Sequence, residues 1–232
     1  MYVDAVIFDI GGVLRPPTGP ADKEYFKSYI FTHYNEKLTN TILNGCDGRP
    51  LREQVKCWEK ELNIAIDSID YDQFDKDTTE KQLEMIRGEE KDSEMTKFLK
   101  YLNKNNIPIG IGTSSGRARA EKILEILDVP YNVLVTSDDV TDGKSKPAPD
   151  IYLSVVKNLK YPKRVLVVEN SYLGITAAKR ASHHLGDGIT LKVIAYRKYD
   201  LEHKEELSKA DAIVDDFSEI YAYIDQRFPE NI

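Results

Sequence analysis

The sequence predicts an α/β protein: a three-layer sandwich built on a parallel sheet, with a helical unit inserted after the first strand. Three observations point to it. Residues 3–8, "VDAVIF", are almost continuously apolar, the mark of a strand buried on both faces. From residue 107 onward short apolar runs alternate with helical periods of about ten residues, the rhythm of βαβ units with helices on both faces of a sheet. Between these regions, residues 20–87 carry helical periods rich in Tyr, Lys and Glu.

The elements follow in order. The first strand runs into Asp9, Gly11 and Gly12. The helical stretch reads "EYFKSYIFTHY", "LREQVKCWEKEL" and "FDKDTTEKQLEMI", broken at "NGCDGRP" and "NIAIDSID", and is expected to form a bundle of about four helices. A helix over 97–106 leads to a strand over 107–113, and a helix over 118–127 to a short strand over 131–137. A helix over 149–159 precedes a strand over 164–170, and a helix over 173–181 precedes a strand over 191–196. A final strand over 210–216 and a closing helix end the pattern. A chain of 232 residues supports one full core and a smaller second unit. The expected division is residues 1–15 with 91–232 as the α/β core and 16–90 as a helical unit, rocking about hinges near 15–19 and 88–92.

Composition narrows the function. Lys and Arg total 32 against 39 Asp and Glu, a net charge of -7, so no basic stripe is available for a nucleic-acid backbone or an anionic membrane. No apolar run approaches the roughly 20 residues that span a bilayer, and the opening residues hold no basic and apolar leader, so a cytoplasmic protein is expected. Cys46 and Cys57 have no metal-ligand spacing and are expected to be free thiols in a reduced compartment.

In an open parallel sheet, ligands bind outside the carboxyl ends of the strands. Those ends can be read directly. The first strand supplies Asp9, Gly11 and Gly12; "IGIGTSSG" supplies Thr113, Ser114 and Ser115; "RVLVVEN" supplies Glu169 and Asn170; and the loop "DGKSKPAPD" supplies Lys144 and Lys146. The glycines are expected to let a phosphoryl group approach main-chain N–H groups, and backbone donors with a lysine and a metal suit a dianionic phosphate.

"FDIGGVL", "IGIGTSS", "KPAPDIY" and "VVENSYLGI", in this order and each at a strand end, resemble the four motifs of the haloacid dehalogenase-like hydrolase superfamily. The helical insertion resembles its C1 cap, and the likeness is to the phosphatase and beta-phosphoglucomutase-like branch of subfamily I. The resemblance implies a Rossmann-like core and a phosphatase acting through an aspartyl-phosphate. It casts Asp9 as nucleophile, Thr113 as hydrogen-bond donor to the phosphoryl group and Lys146 as the charge that keeps Asp9 ionised. Gly11, Gly12 and the Ser114 N–H would contact the phosphate, and Arg49, in a loop of the helical unit, the substrate. Mg2+ would be held by Asp9, the Gly11 carbonyl, Glu169 and Asn170. The partner would be a small phosphorylated metabolite, and the protein a monomer or homodimer.

Two positions depart from that pattern. Gly11 stands where such phosphatases carry a second aspartate as general acid and base, help worth about 10²–10⁴-fold. Asn170 stands where a ligating aspartate is usual, and brings no charge to a hard cation. A silent phosphate-binding or regulatory protein is therefore the alternative. A haloacid dehalogenase fits less well, because the bulky aromatic expected after the nucleophile is absent. Lys144 reads as surface, His183 and His184 as part of a long loop, and Trp58 as packing within the helical bundle.

Overall fold

The computed structural model describes residues 3–17, 20–46, 49–66, 70–88, 92–141, 144–199 and 207–225. The four-residue strand β1 (Ala5–Phe8) is wholly buried and is followed by four helices, α1 (Pro20–Tyr34), α2 (Asn40–Cys46), α3 (Leu51–Leu62) and α4 (Tyr71–Gly88). The alternating half then runs α5 (Ser93–Lys104), β2 (Ile109–Gly112), α6 (Arg117–Leu127), β3 (Val133–Val135), α7 (Asp150–Asn158), β4 (Arg164–Glu169), α8 (Tyr172–His184), β5 (Thr190–Tyr196), β6 (Ala212–Val214) and α9 (Phe217–Asp225).

The strands form one parallel sheet in the order β3-β2-β1-β4-β5-β6. Side chains alternate across it, and that alternation builds the layers. Val6 and Phe8 face one way and pack with Phe98 and Leu102 of α5, Ile123 of α6 and Phe217 of α9. Ile7 faces the other way and packs with Tyr152 and Val155 of α7 and Ile175 and Ala178 of α8. The helices present matching stripes: Met95, Phe98, Leu99 and Leu102 of α5 recur at helical spacing, and Asp92 caps that helix by accepting from the N–H groups of Glu94 and Met95. A third cluster lies within the helical stretch, where Phe26, Ile30, Val55, Trp58 and Phe74 are buried together.

Four sequence expectations need adjustment. Helix α2 occupies part of the stretch read as a break. The strand expected over 131–137 shortens to β3, because Thr136 caps a tight turn over Ser137–Asp139 and Asp139 accepts from the Thr136 N–H at 2.7 Å. His183 and His184 lie in the last turn of α8 rather than in a loop. The free thiols are also overturned: Cys46 and Cys57 form a disulfide, with Cα atoms 5.8 Å apart. They are eleven positions apart in sequence, but the end of α2 lies beside the middle of α3. Spacing rules for metal ligands are blind to such a pairing. Parts of both expected hinges, residues 18–19 and 89–91, lie outside the described residues. No described helix is long and apolar enough to cross a membrane.

Candidate active site

The chain reverses its direction of travel across the sheet at β1, whose neighbours are β2 and β4. The carboxyl ends of these three strands therefore converge, and the residues after them share one crevice. Asp9 follows β1, Thr113 follows β2, and Glu169 closes β4. Lys146 enters from the loop before α7.

Lys146 joins them. Its ammonium donates to Asp9 Oδ1 at 2.7 Å, to Glu169 Oε1 at 2.6 Å and to the Gly112 carbonyl at 2.9 Å, which uses all three of its protons. Lys146 is 3% exposed and Glu169 is fully buried. Tyr152 completes the arrangement from α7, donating its hydroxyl to Glu169 Oε1 at 2.5 Å. The other oxygen of Glu169 accepts from the N–H groups of Asn170 and Ser171 and from the Ser171 hydroxyl. Burial drives the Asp9 carboxyl up to about 6, the nearby Lys146 ammonium opposes this, and the Glu169 charge reinforces it. For Lys146, burial pulls the ammonium down, but the carboxylates of Asp9 and Glu169 more than offset it and hold it above the ordinary lysine range. Two carboxylates and one ammonium leave the buried group one negative charge in excess.

The glycines after β1 do different work. Gly11 has no atom within 4 Å of where a Cβ would lie, so a side chain there would enter open space. Gly12 has φ +81°, and a Cβ on it would come within 2.0 Å of Asn170 Nδ2. Only glycine fits both its backbone and its neighbour. The Gly12 N–H, expected to face a phosphate, instead donates to the Arg15 carbonyl at 2.8 Å and closes the turn. Gly12 thus shapes the crevice without offering that donor.

The remaining expected residues fall as follows. Thr113 is buried, and its hydroxyl oxygen accepts from the Ser115 N–H at 3.2 Å, stiffening the loop into α6. The Ser114 hydroxyl oxygen is buried without a hydrogen-bond partner. Arg49 lies at the α2–α3 connection and donates to the Gly45 carbonyl at 2.8 Å. Lys144 is exposed, 3.6 Å from Asp150. Glu169, expected among metal ligands, has its oxygens engaged by Lys146, Tyr152 and the start of α8. Tyr152 and Glu53, whose carboxylate accepts from the Ser145 hydroxyl at 2.8 Å, are site residues the sequence reading passed over. Tyr152 closes the quoted run "KPAPDIY", so a signal for it was present; Glu53 had none beyond its place at the start of a helix.

Among the described residues no three His, Cys, Asp or Glu side chains gather as a metal cluster. Oxygen donors for a hard cation are nevertheless present. Asn170 Oδ1 is buried and has no partner, next to the turn that carries Asp9, and Asp9 keeps a second oxygen beyond the one that Lys146 holds. An oxygen-only set of this kind suits Mg2+.

A carboxylate at the tip of the central strand of a parallel sheet, neutralised by a lysine from the far loop, defines a class, the haloacid dehalogenase-like hydrolases. The family model so described matches residues 3–182, and the chain belongs to that family. Among its relatives, the phosphorylated carbohydrates phosphatase of Thermotoga maritima is 31% identical over 203 residues, covering 82% of this chain and 90% of that protein. The (DL)-glycerol-3-phosphatase 2 of Arabidopsis thaliana is 25% identical over 212 residues, covering 86% and 82%. Among solved structures, a hydrolase from Pseudomonas syringae superposes with a TM-score of 0.76 at 19% identity, over 96% of this chain and 98% of that one.

Proposed function

We propose that the protein is a Mg2+-dependent phosphatase of small phosphorylated metabolites, with Asp9 as the nucleophile. The observation that carries this reading is the position of Lys146, locked between Asp9 and Glu169 under a crevice that Gly11 leaves open. A lysine so held keeps Asp9 ionised despite its burial, and a buried carboxylate with few competing donors is a capable nucleophile. Asp9 attacks phosphorus, the ester oxygen leaves, and water then releases phosphate from the aspartyl-phosphate. Mg2+ held by Asp9, the Gly11 carbonyl and the Asn170 amide oxygen would supply charge to draw and polarise the phosphoryl group. Thr113 and the Ser114 N–H, in the loop after β2, would donate to the same group. Residues 16–90 form the cap, and their closure excludes water.

Gly11 sets the scope. Without a carboxylate there, the leaving oxygen gets no proton from that position, so substrates with good leaving groups, such as aryl or acyl phosphates and sugar 1-phosphates, should turn over faster than alkyl phosphates. The test is release of inorganic phosphate from para-nitrophenyl phosphate and a panel of sugar and acyl phosphates with Mg2+, for the protein and for Asp9→Asn. Loss of turnover in the variant is expected. A folded, Mg2+-replete protein that turns over nothing would favour the silent phosphate-binding reading. Since a side chain at position 11 meets open space, Gly11→Asp should raise the rate on alkyl phosphates by about 10-fold or more, within the reach of general acid help.

A further inference from the structure

Among the described residues, two sets of side-chain hydrogen bonds, unequal in number, join the helical unit to the sheet layer. On one flank Arg119 of α6 reaches α4: its Nε donates to Thr79 Oγ1 at 2.9 Å, and its Nη2 to Thr78 Oγ1 at 3.2 Å and to the Asp75 carboxylate. Thr78 and Thr79 are buried, and further along α4 Leu83 and Ile86 join the same apolar cluster as β1 and α5. This flank is the more extensively bonded of the two. At the mouth of the crevice the described residues make one such bond, Ser145 Oγ donating to Glu53 Oε1 at 2.8 Å, which links a buried serine to the first turn of α3.

Ser145 precedes Lys146 directly. The ammonium of Lys146 has three partners, but nothing in that set ties its position to the helical unit. The Ser145–Glu53 bond does. We propose that Glu53 is a positioning residue: by accepting from Ser145 when the helical unit closes, it fixes the backbone that carries Lys146 and so couples closure to alignment of the lysine with Asp9. The contact can break while the Arg119 flank stays joined, so the unit swings open on α4. This inference rests on the phosphatase reading, and extends it to a device that makes chemistry wait for closure.

A passive role is available to Glu53, since an acidic residue in a helix's first turn is favourable by itself. Two substitutions separate the roles. Ser145→Ala removes the bond and keeps the charge on α3; Glu53→Gln removes the charge and keeps an acceptor oxygen of the same reach. Ser145→Ala and Glu53→Ala should each lower kcat about 10-fold on a phosphatase substrate with KM within about two-fold, and the double variant should lose about 10-fold and not 100-fold, because both changes break one bond. Glu53→Gln should recover most of the loss of Glu53→Ala. Multiplied losses in the double variant, or Ser145→Ala at the wild-type rate, would overturn the proposal. So would a Glu53→Gln variant as poor as Glu53→Ala, which would assign the carboxylate a charged contact with substrate. Amide hydrogen exchange gives a readout independent of turnover: Ser145→Ala should speed exchange in both residues 144–149 and the start of α3. Turnover that persists in Asp9→Asn would sink the phosphatase reading, while exchange would still judge the coupling.

Discussion

Asp9 carries opposing demands that can be measured separately. Its carboxyl stands near 6 in the fold against 3.8 in an ordinary aspartate, with burial the main cause. A raised folded value means that the contribution to stability is complete below about pH 3.8 and is lost as pH rises through about 6. At neutral pH the ionised Asp9 carboxylate therefore costs the fold up to about 3 kcal/mol, the worth of that gap. Asp9→Asn is neutral at every pH, and its amide oxygen can still accept from Lys146, which keeps Glu169 as counter-charge. The variant should be inactive yet more stable than the wild type at pH 7.5, by about 1–3 kcal/mol or a few degrees in Tm, with the advantage shrinking toward pH 4. A variant that is less stable at pH 7.5 would show that the Lys146 ion pair outweighs the burial cost. For the active protein, kcat/KM should climb with pH on a limb at or below about 6, since Asp9 must lose its proton to attack. Gly12 makes a steric counterpart: Gly12→Ala puts a methyl into Asn170 and a left-handed φ on an alanine, and should cost about 1–3 kcal/mol in stability together with the activity.

At the scale of elements, the strand ends were legible because a parallel sheet concentrates its chemistry where strands stop, and each stop was marked. "FDIGG" marks the end of β1, "TSSG" that of β2 and "VEN" that of β4, with "KPAPD" announcing α7. What each residue does there was less legible. Periodicity placed Glu169 at a strand end, but its direction, down onto Lys146 and Tyr152, depends on where α7 lies. The Gly12 N–H was taken by a turn whose partner, Arg15, no pattern announced. The disulfide escaped because helix pairing within the insert cannot be read from one-dimensional spacing. The α7 contribution leads to a prediction of its own. Tyr152→Phe removes one donor from Glu169 Oε1, leaving Lys146 as the donor that oxygen retains. Losing a buried bond to a charged group should cost about 1.5–3 kcal/mol. It should also draw the shared ammonium toward Glu169 and away from Asp9, lowering kcat several-fold with a smaller change in KM. A Tyr152→Phe variant that is destabilised but catalytically unchanged would confine the tyrosine to packing.

For the whole molecule, the open question is whether the helical unit and the sheet unfold together. The buried apolar groups argue both ways. Phe26, Val55, Trp58 and Phe74 form a cluster of their own, yet α4 belongs to both sides, with Phe74 in the helical cluster and Leu83 and Ile86 against the sheet. The Cys46–Cys57 bond lies wholly within the helical cluster, and closing a loop of about a dozen residues stabilises a fold by roughly 3 kcal/mol. With it formed, the shared helix should keep the two units in one transition. With it reduced, the helical unit loses support that the sheet never had, and should melt first. The chain has a single tryptophan, Trp58, buried beside Cys57, so its fluorescence reports on the helical unit alone, whereas far-UV circular dichroism is weighted to the whole chain. In urea the fluorescence and dichroism midpoints should coincide for the oxidised protein. After a dithiol reductant the fluorescence midpoint should fall by about 1–2 M, given a slope of a few kcal/mol per molar, while the dichroism trace broadens into two steps. If both probes shift together on reduction, α4 binds the insert to the sheet more tightly than the disulfide binds the insert to itself. The proposed swing would then have to come from α1 to α3 moving against a stationary α4.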